Sequence, residues 1–411
     1  MTASRSAPDH SEFPALDGVR ALAVMAVVAT HAAYWTFRYG RGTGAGMLAR
    51  LDCGVAIFFV LSGFLLSRPW LLAAATGSRG PAIRVYLWRR ALRILPVYWF
   101  AVVLAFVVLH DNHRVTTDDW LRHAGFLQIY RFGWMRAGLT QTWSLCTEVA
   151  FYAVLPVFAV AAVAWVRRSG WHPVGLLVAC AAASAGTIGW YVWIHGNAWS
   201  VFTTANFWLP GYLDWFAAGI AMAVVQVHLT TRAVGDNSRW RVADHLGASA
   251  GSCWLMALAV FVVAATPVAG PRAVGLIDTS AAITRNVLYL AVALLVVWPA
   301  VFGPRTWAQA VFGNRPMRWL GERSYSIFLL HLVILEGAMN LLGYQVFTGS
   351  ATAVFAVTMA GSVVLAAVTY RLVERPAMAL RALVRGRPDS PPAAASIEAP
   401  VPLPAVQPAP R

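Results

Sequence analysis

The chain alternates between long apolar runs and short polar connections from residue 17 to residue 372. Each run has about 20 residues, which is the length that a helix needs to cross the hydrocarbon core of a bilayer. Ten such runs occur, at 17–37, 51–74, 86–109, 143–167, 172–194, 205–228, 249–269, 281–302, 323–342 and 350–372. The pattern therefore predicts an all-α, polytopic membrane bundle of about ten transmembrane helices.

The same pattern divides the chain into three parts. Residues 1–12 form a polar N-terminal segment, residues 13–380 the membrane domain, and residues 387–411 a tail rich in proline and alanine. The tail has no apolar periodicity, so we expect it to be disordered. Residues 110–142 form the longest loop, and residues 119–130 within it are predicted to form a short amphipathic helix on the membrane surface.

The composition excludes a soluble enzyme. Hydrophobic residues make up 59% of the chain and charged residues 12%, whereas soluble domains carry about 25% charged residues. The formal net charge of +15 could indicate a nucleic-acid binder. However, the basic residues are too sparse to form a surface that follows phosphates. We therefore expect no nucleic-acid partner, and we take the lipid bilayer as the environment of the protein.

The distribution of arginine predicts the orientation. All 32 basic residues are arginine. When the ten runs are threaded through a membrane, 22 arginines fall on one side and 9 on the other, and Arg20 lies inside the first run. Arginine-rich connections stay in the cytoplasm, so both termini are predicted to be cytoplasmic. The protein is then a multi-pass protein of the cell membrane, and the absence of lysine points to the cytoplasmic membrane of a high-GC bacterium.

The first run contains two ionisable residues, Arg20 and His31, eleven positions apart. This spacing is three helical turns plus about 20°, so the two side chains share one face, about 16 Å apart along the axis. Ionisable groups in membrane spans are costly and mark functional sites. An arginine near the cytoplasmic mouth and a deeper imidazole suit a long anionic ligand whose reactive end reaches inward. The alternative is that Arg20 anchors the helix at the surface and His31 makes a helix–helix hydrogen bond.

Two later runs contain further charges. Glu148 follows Trp143, the start of the fourth run, by five residues. This places Glu148 at about the depth of His31, where a carboxylate would fix the imidazole tautomer and stabilise the imidazolium. Arg90 and Arg93 lie one turn apart at the cytoplasmic end of the third run, close enough to hold phosphate groups together. The alternatives are a different partner for Glu148 in the bundle and surface anchoring for the arginines.

The remaining polar and small residues of the runs have less specific interpretations. Asp214 and His331 either line a ligand path or make structural hydrogen bonds. Gly18, Ser62 and Gly63 are expected to let helices approach closely, because their side chains are small.

Six sequence blocks resemble the membrane acyltransferase-3 family, and they occur in the order found in that family. The first block is FPALDGVRALAVMAVVATH (13–31), in which ten residues separate an arginine from a histidine. The other blocks are GVAIFFVLSGFLLS (54–67), RRALRILPVYW (89–99), FLQIY (126–130), TWSLCTEVAFY (142–152) and SYSIFLLH (324–331). The resemblance runs from about Phe13 to Pro376, which is nearly the whole membrane domain.

This resemblance implies an integral membrane enzyme that moves acyl groups, often acetyl, from acyl-CoA to hydroxyls. The family's acceptors are bacterial surface glycans, other carbohydrates such as lipid-linked sugars, or secondary metabolites such as macrolides. The resemblance implies that His31 is the catalytic histidine and that Arg20 is its essential partner in the same helix. Arg90 and Arg93 match the family's Arg-x-x-Arg element, which is implied to touch the CoA donor. Glu148 matches the glutamate of a Trp-Ser-Leu-x-x-Glu block.

We therefore predict an acyl-CoA-dependent O-acyltransferase with acetyl-CoA as the expected donor and a hydroxyl-bearing acceptor. His31 acts as the general base in this hypothesis, and an acyl-histidine intermediate is the less favoured variant. No tightly bound cofactor is expected. No metal is expected either, because His110 and His113 lie in a polar loop without a third ligand. The competing hypothesis is a transporter or flippase for an acylated or anionic solute, which would use the same buried charges along its path.

Overall fold

A computed structural model of the chain describes residues 13–197, 204–231, 240–272, 277–304 and 307–384. Within these ranges the regular structure is helical and no β-strand occurs, so the predicted all-α fold is confirmed. The predicted polar segment 1–12 and the predicted tail 387–411 lie outside the described residues.

The α-helices of the described residues follow one another with short connections. They are α1 (Ala15–Trp35), α2 (Ala45–Arg50), α3 (Gly54–Thr76), α4 (Ile83–Val108), α5 (Thr117–Ala124), α6 (Trp143–Ser169), α7 (Pro173–His195), α8 (Leu213–Thr231), α9 (Arg241–Ala248), α10 (Ala250–Ala264), α11 (Thr279–Phe302), α12 (Trp307–Gly313), α13 (Arg315–Glu322), α14 (Ser324–Leu341), α15 (Ala351–Thr369) and α16 (Arg375–Ala379). A π-helical turn, Tyr370–Glu374, joins α15 to α16.

Nine helical segments in the described part of the chain are long and apolar enough to cross a membrane. A tenth span is counted if α9 and α10 are taken together, although the chain bends by 82° between them. The predicted run 249–269 is therefore shorter than expected. It forms α10, which has 15 residues and a length of about 22 Å, less than the roughly 30 Å of a bilayer core.

The predicted surface helix in the long loop is also shorter than expected. It forms α5 and ends at Ala124 rather than at residue 130, because the chain turns at Phe126, whose φ of 59° is in the left-handed region. Thr116 caps this helix by accepting a hydrogen bond from the backbone N–H of Asp119. The Asp119 carboxylate accepts in return from the backbone N–H of Thr116, and it also accepts a bond of 2.7 Å from Arg136. Burial alone would raise the pKa of Asp119, but these hydrogen bonds outweigh it and hold the pKa below its usual value.

A close crossing joins α3 to α8 through two glycines. A Cβ atom on Gly219 would lie 2.1 Å from the carbonyl oxygen of Val60, and one on Gly63 would lie 2.2 Å from that of Phe216. Neither position can hold a larger residue unless the helices separate. The prediction that Gly63 serves close packing is confirmed.

Helix α1 is the central element, since it contacts α3, α11, α13, α14 and α15. Its first turn is held by small residues on both partners. A Cβ atom on Gly18 would lie 2.1 Å from the carbonyl oxygen of Phe312, and one on Gly321 would lie 1.9 Å from that of Asp17. The packing role predicted for Gly18 is confirmed, and this packing fixes the depth at which the polar residues of α1 lie.

Candidate active site

A cavity of about 220 Å³ lies between α1, α3, α4, α6 and α14. Phe13, Leu16 and Pro69 line one end, where α1 begins and α3 approaches its end. Pro69 is exposed, so this end reaches the protein surface. Phe58 and Phe328 line the opposite end, deeper in the bundle.

Four arginines line the cavity, namely Arg20, Arg68, Arg90 and Arg93. The acidic residue in the same lining is Glu148, so four guanidinium groups face one carboxylate. Arg20 lies near enough to Arg90 and Arg93 to be repelled by both. An anionic ligand would relieve this repulsion, because opposite charges at short range stabilise one another most where water is scarce.

The arginines differ in how they are held. Arg20 pairs with Asp17, one turn earlier in α1, at 2.9 Å. Arg93 forms a salt bridge with Glu374. Arg90 makes no hydrogen bond or ion pair with any residue in the described part of the chain. Among the three sequence-predicted arginines, Arg90 is therefore the one whose donors are available to a ligand.

Glu374 was missed by the sequence analysis. It lies in the π-helical turn after α15, is fully buried, and accepts a hydrogen bond of 3.0 Å from Ser326 as well as the bond from Arg93. The signal was present in the sequence, because Glu374 is an acidic residue directly after the last apolar run. A buried carboxylate persists when it is paired and hydrogen-bonded, so Glu374 fixes the position of Arg93.

Arg68 was also missed, although it lies inside the predicted run 51–74. Its Nε donates to the side-chain oxygen of Gln226 at 2.8 Å, and its guanidinium lies 5.3 Å from the centre of the Phe13 ring. A charge inside an apolar run is the general signal for a functional residue, and that rule applied here would have found Arg68.

The structure contradicts the predicted pairing of Glu148 with His31. Glu148 accepts a hydrogen bond from Ser62, and Tyr152 also lies within hydrogen-bonding reach of its carboxylate. Ser62 therefore does more than allow close packing, which was the role predicted for it. Glu148 belongs to the arginine-lined cavity, and His31 is not part of the cavity lining.

The reason for this error is the depth at which α6 begins. Leu139, Gln141 and Thr142 precede α6 and are all buried within the protein, so the start of α6 is covered by other parts of the chain. Gln141 donates to the carbonyl oxygen of Leu329 at 2.8 Å, which places it beside the first half of α14. Glu148 lies seven residues further along the chain, about two helical turns and about 10 Å below that contact.

His31 instead lies against a second histidine. Its Nδ1 is 2.8 Å from the carbonyl oxygen of Val27 and 3.2 Å from Nε2 of His331. His31 is half-buried, whereas His331 is fully buried. Arg20 and His31 thus have different neighbours: Arg20 lines the cavity, and His31 faces α14.

One phenylalanine of the cavity lining, Phe328, lies beside this pair of histidines. The rings of Phe58 and Phe328 lie 6.1 Å apart, and both line the cavity. The ring of Phe328 also lies 5.9 Å from that of His331. The deep end of the cavity therefore lies next to His331 through the ring of Phe328, and His31 lies on the other side of His331.

The other candidates lie away from the cavity. Asp214 is buried at the start of α8 and does not line the cavity, and its carboxylate lies within hydrogen-bonding reach of Asn286, so the structure favours the structural alternative. His110 and His113 stack at 5.0 Å in the long loop. Among the described residues, no group of three His, Cys, Asp or Glu side chains is arranged to hold a metal ion.

Comparison with known proteins gives a family match over residues 13–371, to the acyltransferase domain of the acyltransferase-3 family. OatA of Listeria monocytogenes, a peptidoglycan O-acetyltransferase, is 24% identical over 342 residues, which are 78% of this chain and 49% of OatA. YrhL of Bacillus subtilis, provisionally named a peptidoglycan O-acetyltransferase, is 25% identical over 387 residues, which are 89% of this chain and 55% of YrhL. The chain thus spans about half the length of these curated relatives. No solved structure shows significant similarity.

Proposed function

Because the chain belongs to the acyltransferase-3 family, we propose that it is a membrane O-acetyltransferase that takes its acetyl group from acetyl-CoA. The observation that carries this proposal is the convergence of four arginines on one cavity whose deep lining residue Phe328 lies beside His331, the partner of His31. An anionic donor with a long arm and a reactive thioester end matches both features.

The arginines are proposed to bind the phosphates of the donor. A planar guanidinium binds phosphate oxygens through two parallel hydrogen bonds, and such charge-assisted bonds are about twice as strong as neutral ones. The cavity reaches the surface where α1 begins, and the arginine count assigns this side to the cytoplasm. Acyl-CoA is a cytoplasmic metabolite, so the proposed orientation and the proposed donor agree.

The size of the cavity supports entry by only part of the donor. Its volume of about 220 Å³ is below the roughly 300–1,000 Å³ of pockets that enclose a whole drug-sized ligand. We place the pantetheine arm inside the cavity and the nucleotide at its mouth. Glu148 and Ser62 then lie along the arm, whose amide N–H groups are suitable donors to a buried carboxylate.

The chemistry is proposed to take place at His31. Nε2 of His31 removes the proton of an acceptor hydroxyl, and the alkoxide oxygen attacks the thioester carbonyl. The tetrahedral intermediate collapses as the carbon–sulfur bond breaks, and the imidazolium returns its proton to the CoA thiolate. The rings of Phe58 and Phe328 must move aside for the thioester to reach Nε2, so they limit the size of the acyl group.

The acceptor is proposed to be a carbohydrate hydroxyl on the side opposite the arginine-rich mouth. This follows from the names of the relatives, which include peptidoglycan O-acetyltransferases. His31 is half-buried rather than enclosed, which leaves room for an acceptor to approach it.

The test uses purified protein in lipid nanodiscs with radiolabelled acetyl-CoA and a peptidoglycan oligosaccharide. We expect labelled oligosaccharide and free CoA from the wild type and from His113→Ala, which changes an exposed histidine of the long loop. We expect neither product from His31→Ala. If the wild type transfers no acetyl group but moves an anionic solute across proteoliposomes, the transporter hypothesis is correct instead.

A further inference from the structure

His331 forms a contact that the proposed chemistry at His31 does not yet explain. It lies in the middle of α14, is fully buried, and has its ring centre 5.0 Å from that of His31. Its Nδ1 is 2.6 Å from the carbonyl oxygen of Phe328, and its Nε2 is 3.2 Å from Nδ1 of His31. Both ring nitrogens of a fully buried imidazole therefore have a partner.

These distances determine where the protons lie. A carbonyl oxygen only accepts hydrogen bonds, so Nδ1 of His331 carries a proton and donates it to Phe328. In the neutral ring Nε2 is then an acceptor. On the opposite ring, Nδ1 of His31 is 2.8 Å from the carbonyl oxygen of Val27, so this nitrogen also carries a proton. The N–H of His31 is shared between Val27 and Nε2 of His331.

One consequence concerns the remaining nitrogen. With its proton on Nδ1, a neutral His31 has an unshared electron pair on Nε2. That tautomer is the one a general base requires, because the nitrogen facing the acceptor must be able to take a proton. The other tautomer would place the electron pair of Nδ1 against the oxygen of Val27 and the electron pair of His331, which is unfavourable.

We propose that His331 is a positioning residue that holds His31 in the tautomer with Nε2 free and stabilises the imidazolium formed during the reaction. When Nε2 of His31 takes the acceptor's proton, its Nδ1–H becomes a charged donor, and the bond to His331 strengthens. This inference rests on the proposed function, because it assigns His331 a part in the same transfer.

The rival explanation is that His331 only joins α1 to α14. It lies beside an apolar cluster that includes Ala32 and Leu332, so its loss could loosen the packing. The two roles differ in which atom matters. A positioning role needs an acceptor at the place of Nε2, whereas a packing role needs only the volume of the side chain.

The test replaces His331 by Gln, Asn and Leu in nanodiscs and measures acetyl transfer. Gln can place its amide oxygen near Nε2, Asn is too short to reach His31, and Leu keeps volume without an acceptor. For Leu and Asn we expect kcat to fall about 10- to 100-fold with an unchanged KM for acetyl-CoA, as for other partners of functional histidines. For His331→Gln we expect kcat within about threefold of the wild type.

The controls separate this inference from the proposed function. If the wild type shows no transfer, the proposed function fails. If the wild type is active and His31→Ala is inactive, but Gln, Asn and Leu at position 331 all have similar kcat values, the inference on His331 fails alone. Should His331→Leu fail to fold, the comparison of Gln with Asn decides, since both are polar and differ in reach.

Discussion

The clearest prediction concerns Arg90, because its guanidinium lines the cavity and makes no hydrogen bond or salt bridge in the described part of the chain, although Glu148 lies near enough to attract it. In Arg90→Ala no internal salt bridge is lost, so the change should act on the donor and leave the fold intact. A hydrogen bond to a charged group contributes about 1.5–3 kcal/mol. At 1.4 kcal/mol per factor of ten, we expect the KM for acetyl-CoA to rise about 10- to 150-fold with little change in kcat.

The matched control is Arg89→Ala, which removes the same charge from the preceding residue of α4. Arg89 is exposed and is not part of the cavity lining, so its KM should stay within about twofold of the wild type. Initial rates in nanodiscs over a range of acetyl-CoA concentrations, at fixed ionic strength, separate KM from kcat. Equal effects of the two substitutions would show that membrane-surface charge, and not the cavity, attracts the donor, and our assignment of the donor site would be refuted.

Three further predictions test other parts of the structure. In Phe328→Ala the loss of the ring between cavity and histidines should raise kcat/KM for butyryl-CoA relative to acetyl-CoA by about tenfold or more; an unchanged ratio would show that this ring does not limit the acyl group. Gly219→Ala should lower the melting temperature on the order of 5 °C, because its Cβ would lie 2.1 Å from a backbone oxygen of α3. Gly189→Ala, in open space, should not lower it, and equal effects would contradict the packing argument. Burial lowers the pKa of His123, so its neutral form is the one that the folded loop favours. The loop 110–142 should therefore lose hydrogen-exchange protection as pH falls below about 6.5. His123→Gln should abolish that loss, and the same acid sensitivity in the variant would exclude His123 as its cause.

The membrane spans were the part of the structure that the sequence could predict. A span is set by the thickness of the bilayer, and that requirement is local to each run of the chain. The length predicted for the span at 249–269 was wrong, because hydropathy does not record the bend of 82° between α9 and α10. Local patterns locate helices well, but the angle between two helices depends on their tertiary partners.

The site was predicted less completely, because depth and azimuth depend on the rest of the bundle. The position of Glu148 was derived from the assumption that Trp143 lies at the membrane surface. Gln141, just before α6, instead contacts Leu329 inside α14, so α6 begins deeper in the bundle than its sequence position indicates. The contact between His31 and His331 joins residues 300 positions apart, and nothing in either apolar run specifies which faces of α1 and α14 meet.

The arginines illustrate a limit of a different kind. Membrane topology and phosphate binding both favour arginine on the cytoplasmic side, so a count of charges in the sequence cannot separate the two causes. Pairing in the structure can separate them. Arg93 is fixed by the buried Glu374 and Arg20 by Asp17, and an anchor needs no such partner inside the protein. Two guanidinium groups held by carboxylates beside an unpaired Arg90 are the arrangement expected of a preorganised anion site, in which the ligand supplies the missing negative charge.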